Sequence, residues 1–154
     1  MYRKIMVPLD GSDLAECVLP HVEAIAMGCE VNNVTFVRTV EPFQLPRGSE
    51  WVPTPEERQR IESSHRSDVQ DYLNQLVGRL KYDGVSLQTE VIVGKAAESL
   101  ADYAEKNGVD LIVIATHGRS GVSRWVWGSV ADRILRSACV PVLMVRAPGC
   151  VPGI

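Results

Sequence analysis

Little in this sequence is specialised. Lys and Arg number 16 against 19 Asp and Glu, for a net charge of −3. A chain with no basic excess is not expected to carry the positive stripe by which duplex nucleic acid is held. Long apolar runs are missing: "LIVIA" at 111–115 spans five residues, against about 20 for a membrane-crossing helix. The opening "MYRKIMVPLDG" has too short an apolar stretch, broken by Pro8, for a secretory leader. The four cysteines, at 17, 29, 139 and 150, include no C-x-x-C pair, which excludes the usual zinc and dithiol redox spacings. These absences predict a cytoplasmic protein with reduced thiols, and neither membrane nor nucleic acid as partner. No Ser-His-Asp spacing, paired carboxylates or metal-ligand cluster is legible. Of the three histidines, His21 and His65 read as helix-surface residues and His117 as part of a loop.

What is present is ordered. The 154 residues, 45% hydrophobic and 23% charged, suit one globular domain. "KIMVPLD" (4–10), "NVTFVRTV" (33–40), "VSLQTEVIVG" (85–94), "DLIVIATHG" (110–118) and "PVLMVR" (141–146) read as strands. Helical spacing fills the gaps between them. Leu14, Val18, Val22 and Ile25 form one apolar face, with Pro20 expected to bend or break that helix and Gly28 to end it. Ile61, Val69, Leu73, Leu76 and Leu80 form another, and residues 96–108 a third helix closed by Gly108. Such β-α alternation predicts an α/β fold: one doubly wound five-stranded parallel sheet, order 3-2-1-4-5, with helices on both faces. The domain is expected over residues 1–147, followed by a flexible tail at 148–154.

In a sheet of that order, ligands bind beyond the carboxyl ends of the strands at the switch between strands 1 and 4. Two loops meet there. "PLDGS" follows strand 1, and "ATHGRSGVSRWVWGS" (115–129) follows strand 4. In the second, Gly118, Gly121 and Gly128 let backbone N–H groups approach an anion, and Ser129 opens a helix whose positive end favours phosphate. Arg119 and Arg124 could add charge-assisted contacts. The same residues also read as a plain capping box, Ser129 as N-cap and Asp132 at the third position, which requires no ligand. The Walker pattern and G-x-G-x-x-G are both absent. "VGKAAES" (93–99) reads as an ordinary turn. In the first loop, Asp10 could accept ribose hydroxyls or hold a metal through water, or simply build an Asx-turn. Asp13, as the better N-cap candidate, would leave Asp10 freer.

"KIMVPLDGS", "ATHGRSGVSRWVWGSVADRIL" and "VPVLMV" together resemble the universal stress protein family, in the right order and spacing over residues 2–147. The family's nucleotide-binding branch carries Gly, two residues, Gly, nine residues, then Gly with Ser or Thr. This chain has Ala115, Gly118, Gly128 and Ser129, with alanine in place of the first glycine. The resemblance implies an ATP-binding protein, with Mg2+, that senses or regulates in a stress response. By it, Gly118, Gly128, Ser129 and Val130 face the phosphates, and His117, Arg119 and Gly121 belong to the same loop. Asp10, with Leu9 beside it, holds the ribose, and Pro8, Thr39 and Ile114 line the adenine slot. Ala115 would be strained if its position needs a positive φ, and harmless in ordinary strand geometry.

The resemblance further implies a homodimer through strand 5, Val140–Arg146. The sequence agrees, because an edge strand apolar on both faces is adhesive in a monomer. The stretch 41–55, with Phe43, Leu45 and Trp51, is expected to fold over the pocket or onto a partner chain, the alternative being a disordered surface loop. Trp125 and Trp127 read as packing anchors. The competing functions are a nucleotide-free dimeric scaffold and a weak ATP-hydrolysing or adenylating enzyme.

Overall fold

The computed structural model describes residues 1–45, 48, 52–116 and 129–146. Five strands, β1 (Lys4–Pro8), β2 (Asn33–Val40), β3 (Ser86–Val93), β4 (Leu111–Thr116) and β5 (Val142–Arg146), form one sheet. Its order is β3-β2-β1-β4-β5, and each pairing is parallel. The helices are α1 (Leu19–Gly28), α2 (Pro55–Arg79), α3 (Ala96–Lys106) and α4 (Ser129–Ser137), with a 3-10 turn at Ala15–Val18 before α1. This is the architecture that the β-α alternation predicts. None of the helices among the described residues is long and apolar enough to cross a membrane.

Alternation along the strands splits the core into two layers. Ile5, Val7, Phe36 and Val113 pack with Val22 of α1 and with Leu73 and Leu76 of α2. Met6, Val37, Ile112 and Ile114 pack with Leu100 of α3 and with Ala131 and Ile134 of α4.

The break expected at Pro20 is present: the 3-10 turn precedes an α-helix that starts at Leu19 with Pro20 in its first turn, where a missing N–H leaves nothing unsatisfied. That helix ends at Gly28, as expected, and Glu30 beyond it is left-handed (φ 53). Two expectations about inward faces are corrected. Leu14, upstream of the break, is 45% exposed, and the buried face is Val18, Val22 and Ala26. In α2, Ile61 is exposed rather than inward, and the buried residues, Val69, Leu73 and Leu76, lie in the second half of the helix. That helix starts on a capping box: Thr54 N–H donates to Glu57 Oε2 at 2.8 Å, and Glu57 N–H to Thr54 Oγ1 at 3.2 Å.

The shortness of the β1–β4 ladder has a chemical cause. Between β1 and β4 the register holds only Ile5–Leu111 and Met6–Ile112, whereas β1 and β2 stay paired through Pro8–Val37. Leu9 N–H donates to Val37 O at 2.9 Å. Strand N–H groups point alternately to the two sides, so the nitrogen of Pro8 faces β4. It has no hydrogen to donate, and a proline there cannot extend the ladder. The sheet opens where the chain leaves β1.

Candidate functional site

A cavity of about 510 Å³ occupies that opening, within the roughly 300–1,000 Å³ range of small-molecule sites. It lies over the carboxyl ends of β1, β2 and β4. A more open groove of about 590 Å³ runs between α2 and β3. Two of its polar lining residues, Asn74 and Thr89, accept from Gln70. The position at the switch point and the mixed apolar and polar lining favour the first cavity as a ligand site.

Pro8, Leu9, Asp10, Thr39, Ile114, Ala115 and Val130, all singled out from the sequence, line this one cavity. Pro8, Leu9, Ile114 and Ala115 are buried, Thr39 and Val130 half-buried, and Asp10 exposed at the rim. Of the remaining candidates, His117, Gly118, Arg119, Gly121 and Gly128 lie outside the described residues, as do Arg124, Trp51, Trp125, Trp127 and the tail. Ser129 is the first residue of α4.

Asp10 helps build its own loop. Its Oδ1 accepts from Ser12 N–H at 2.9 Å and from Ser12 Oγ at 2.6 Å. The hydroxyl bond is short, as a charged acceptor makes it. Ser12, not Asp13, then serves the turn that follows, with Ala15 N–H reaching Ser12 Oγ at 3.2 Å. The expectation that Asp13 would cap, leaving Asp10 the freer of the two, is corrected: the Asx-turn is made, and the carboxylate still borders the cavity. Ala115 resolves the question its sequence position raised. It sits inside β4 opposite Val145, and Glu30 is the only non-glycine with positive φ among the described residues. Its backbone is unstrained and its methyl is part of the wall.

In the first turn of α4, the Asp132 carboxylate accepts from Arg136 Nε at 3.1 and 3.2 Å, one turn further on. An ion pair of that spacing takes up the charge that would otherwise have opposed an anion there.

Arg38, Glu41 and His65 also line the cavity, and sequence reasoning did not single them out for it. Arg38 was the most legible of them: a lone charge inside the apolar run "NVTFVRTV" of β2 asks for a reason. His65 is an exposed residue of α2, as expected, but borders the cavity. The stretch 41–55 begins at this rim: Glu41 lines the cavity, and Phe43 N–H reaches Glu62 Oε1 of α2 at 3.3 Å.

Behind Arg38 lies a polar cluster. Its guanidinium stands 5.4 Å from the ring centroid of Tyr72. Tyr72 donates to Glu16 Oε1 at 3.0 Å, and Arg79 pairs with the other oxygen of Glu16. Burial, and then the Glu16 carboxylate, push the Tyr72 hydroxyl well above its ordinary pKa, so it remains a donor. Among the described residues no group of His, Cys, Asp or Glu could by itself hold a metal ion. A magnesium ion here would depend on phosphate oxygens, as it commonly does.

A family model described as the universal stress protein family matches residues 1–146. This chain belongs to the universal stress protein family. Universal stress protein MJ0531 of Methanocaldococcus jannaschii is 34% identical over 151 residues, covering 96% of this chain and 84% of that one. Among solved structures, protein MJ0577 of the same organism superposes with a TM-score of 0.77 at 24% identity, over 97% of this chain and 99% of its own. A universal stress protein family protein from Arabidopsis thaliana, with AMP bound, gives a TM-score of 0.64 at 15% identity, over 96% and 93% of the two chains. At these identities the two structures establish the shared fold.

Proposed function

We propose that this universal stress protein binds an adenine nucleotide, ATP with Mg2+, in the cavity at the switch point, and acts as a sensor or regulatory protein rather than a catalyst. The observation that carries the reading is convergence. Seven residues chosen from three strands, the loop after β1 and the start of α4, Pro8, Leu9, Asp10, Thr39, Ile114, Ala115 and Val130, border a single cavity of nucleotide-compatible size. In this reading Pro8, Thr39 and Ile114 take the base, Asp10 the ribose, and the start of α4, with Gly118, Gly128, Ser129 and Val130, the phosphates. The apolar wall suits a purine, and the helix start suits an anion. The AMP bound to the Arabidopsis relative supports the ligand class.

The reading extends to assembly. β5 pairs only with β4 among the described residues, and Leu143 on it and Leu135 on α4 are 37% and 46% exposed. A homodimer through Val140–Arg146 covers that edge. The free thiols of Cys17, Cys29 and Cys139 agree with a cytoplasmic setting.

Extraction of the purified protein and mass spectrometry for nucleotides tests the proposal, together with calorimetric titration by magnesium ATP. Binding by the wild type, weakened in Asp10→Ala and Gly128→Val, is expected. No co-purified nucleotide and no heat at millimolar ATP would leave a dimeric scaffold as the better description.

A further inference from the structure

Arg38 is not used by the proposed function, and its setting is unusual. It is half-buried on β2 and lines the cavity. It makes no hydrogen bond and no salt bridge among the described residues; its one specific contact is the Tyr72 ring. Of the carboxylates around it, Glu16 is taken by Tyr72 and Arg79, while Asp10 and Glu41 share the cavity wall. A half-buried guanidinium that forms no ion pair among the described residues keeps its donors for the cavity.

The chain makes room for it deliberately. Gly11 has φ +84, and a Cβ built there would stand 2.6 Å from Arg38 Nη1 and 2.9 Å from its Cζ. The left-handed backbone favours glycine, and any side chain there would have to push the guanidinium aside. Tyr72, anchored by its own bond to Glu16, holds the guanidinium from another side.

We infer that Arg38 is an anion-binding residue of the cavity, placed to take a phosphate carried on the 2′ or 3′ oxygen of the nucleotide ribose. The inference rests on the proposed function, in which Asp10 takes the ribose. Gly11 follows Asp10 in the chain, so the guanidinium in contact with Gly11 adjoins the ribose position. Arg38 has the strand parity of Phe36 and belongs to the α1/α2 side of the sheet, whereas Val130 and Ala131 at the start of α4 pack on the other side. The two anion-attracting points are therefore separate, and a ligand that satisfies both carries phosphate at two ends. Elsewhere among α/β nucleotide sites an acidic residue reads free ribose hydroxyls and an arginine accommodates a ribose phosphate; here the two chemistries stand side by side.

The test compares 5′-AMP, adenosine 2′,5′-bisphosphate and adenosine 3′,5′-bisphosphate as calorimetric titrants of the purified full chain. One bisphosphate is expected to bind about tenfold or more tighter than 5′-AMP, the range of a hydrogen bond to a charged group. Arg38→Gln should abolish that gain, so that the bisphosphates bind no tighter than 5′-AMP, with an unchanged melting temperature reporting that the variant is folded. Arg38→Lys should restore part of the gain, since it keeps the charge without the planar fork. Equal affinity for the three nucleotides, or a gain that persists in Arg38→Gln, would overturn the inference alone. So would loss of 5′-AMP binding in Arg38→Gln at an unchanged melting temperature, which would make Arg38 a contact to the shared part of the ligand. Failure of all three nucleotides and of ATP would remove the proposed function along with it.

Discussion

Ala115→Gly restores the glycine of the family pattern, and the structure predicts that it will weaken the protein without improving the site. Ala115 is 7% exposed and paired in β4 opposite Val145. Removing its methyl forfeits about 0.8 kcal/mol of apolar burial. Glycine in a strand interior costs a further 0.5–1 kcal/mol or so in chain entropy. The variant should therefore be about 1.3–1.8 kcal/mol less stable. For a domain of this size that is a fall in Tm of roughly 3–7 °C. Urea melts should show a lower midpoint at an unchanged slope. Because the backbone here is already at home in β geometry, there is no strain for glycine to relieve, and titration with magnesium ATP should show no gain. A variant that keeps the wild-type Tm and binds ATP about tenfold tighter, a change of roughly 1.4 kcal/mol, would refute this reasoning. The methyl itself would then be what narrows the site.

Other expectations concern the frame around the cavity. Asp110 Oδ2 accepts from Arg3 N–H at 2.8 Å and Lys4 N–H at 2.9 Å, and these bonds hold its carboxyl below the usual pKa. A depressed folded-state pKa contributes stability that is full above the unfolded value and is lost as pH falls through the folded one. Asp110→Ala should thus cost about 1 kcal/mol at neutral pH, given the solvent exposure of the bonds. The gap from wild type should shrink below about pH 4; a gap that widens on acidification would contradict the assignment. Leu73→Ala, at a side chain 0% exposed, should cost about 2–5 kcal/mol in a urea melt. The same change at Leu135, 46% exposed, should stay within about 0.5 kcal/mol in a monomer. Leu143→Lys should convert dimers to monomers in light scattering, and an unchanged mass would count against β5 as the interface.

The strands were legible because each is a short, mostly apolar segment bounded by turn chemistry, and their alternation with helices points to the doubly wound order. The cavity wall was legible for a related reason: in this topology the residues that end β1 and β4 must meet. What the sequence hid is side-chain competition. Nothing in "PLDGSD" tells that Ser12 rather than Asp13 serves the 3-10 turn, because either can accept an N–H; the choice follows from how tightly the chain turns at Gly11. Leu14 and Ile61 have the helical spacing of core residues, but Leu14 lies in the turn before the 3-10 segment and Ile61 in the exposed first half of α2. Periodicity reports a face, not whether anything covers it. Arg38 was hidden as well, since its role depends on Gly11, 27 positions earlier, and on Tyr72 in another helix.

Pro8 and Gly11 show how the fold and the site share their causes. A donor at position 8 would let the β1–β4 ladder run on, and the strand ends would close over the space the cavity now fills. A side chain at position 11 would expel the guanidinium of Arg38 from the wall. Neither residue offers a ligand a hydrogen-bonding side chain. Each acts by what it lacks, a proton on nitrogen in one case and a Cβ in the other. The crevice itself follows from the reversal of strand order between β1 and β4; the missing groups shape its wall, and the polar residues around it use the space that results.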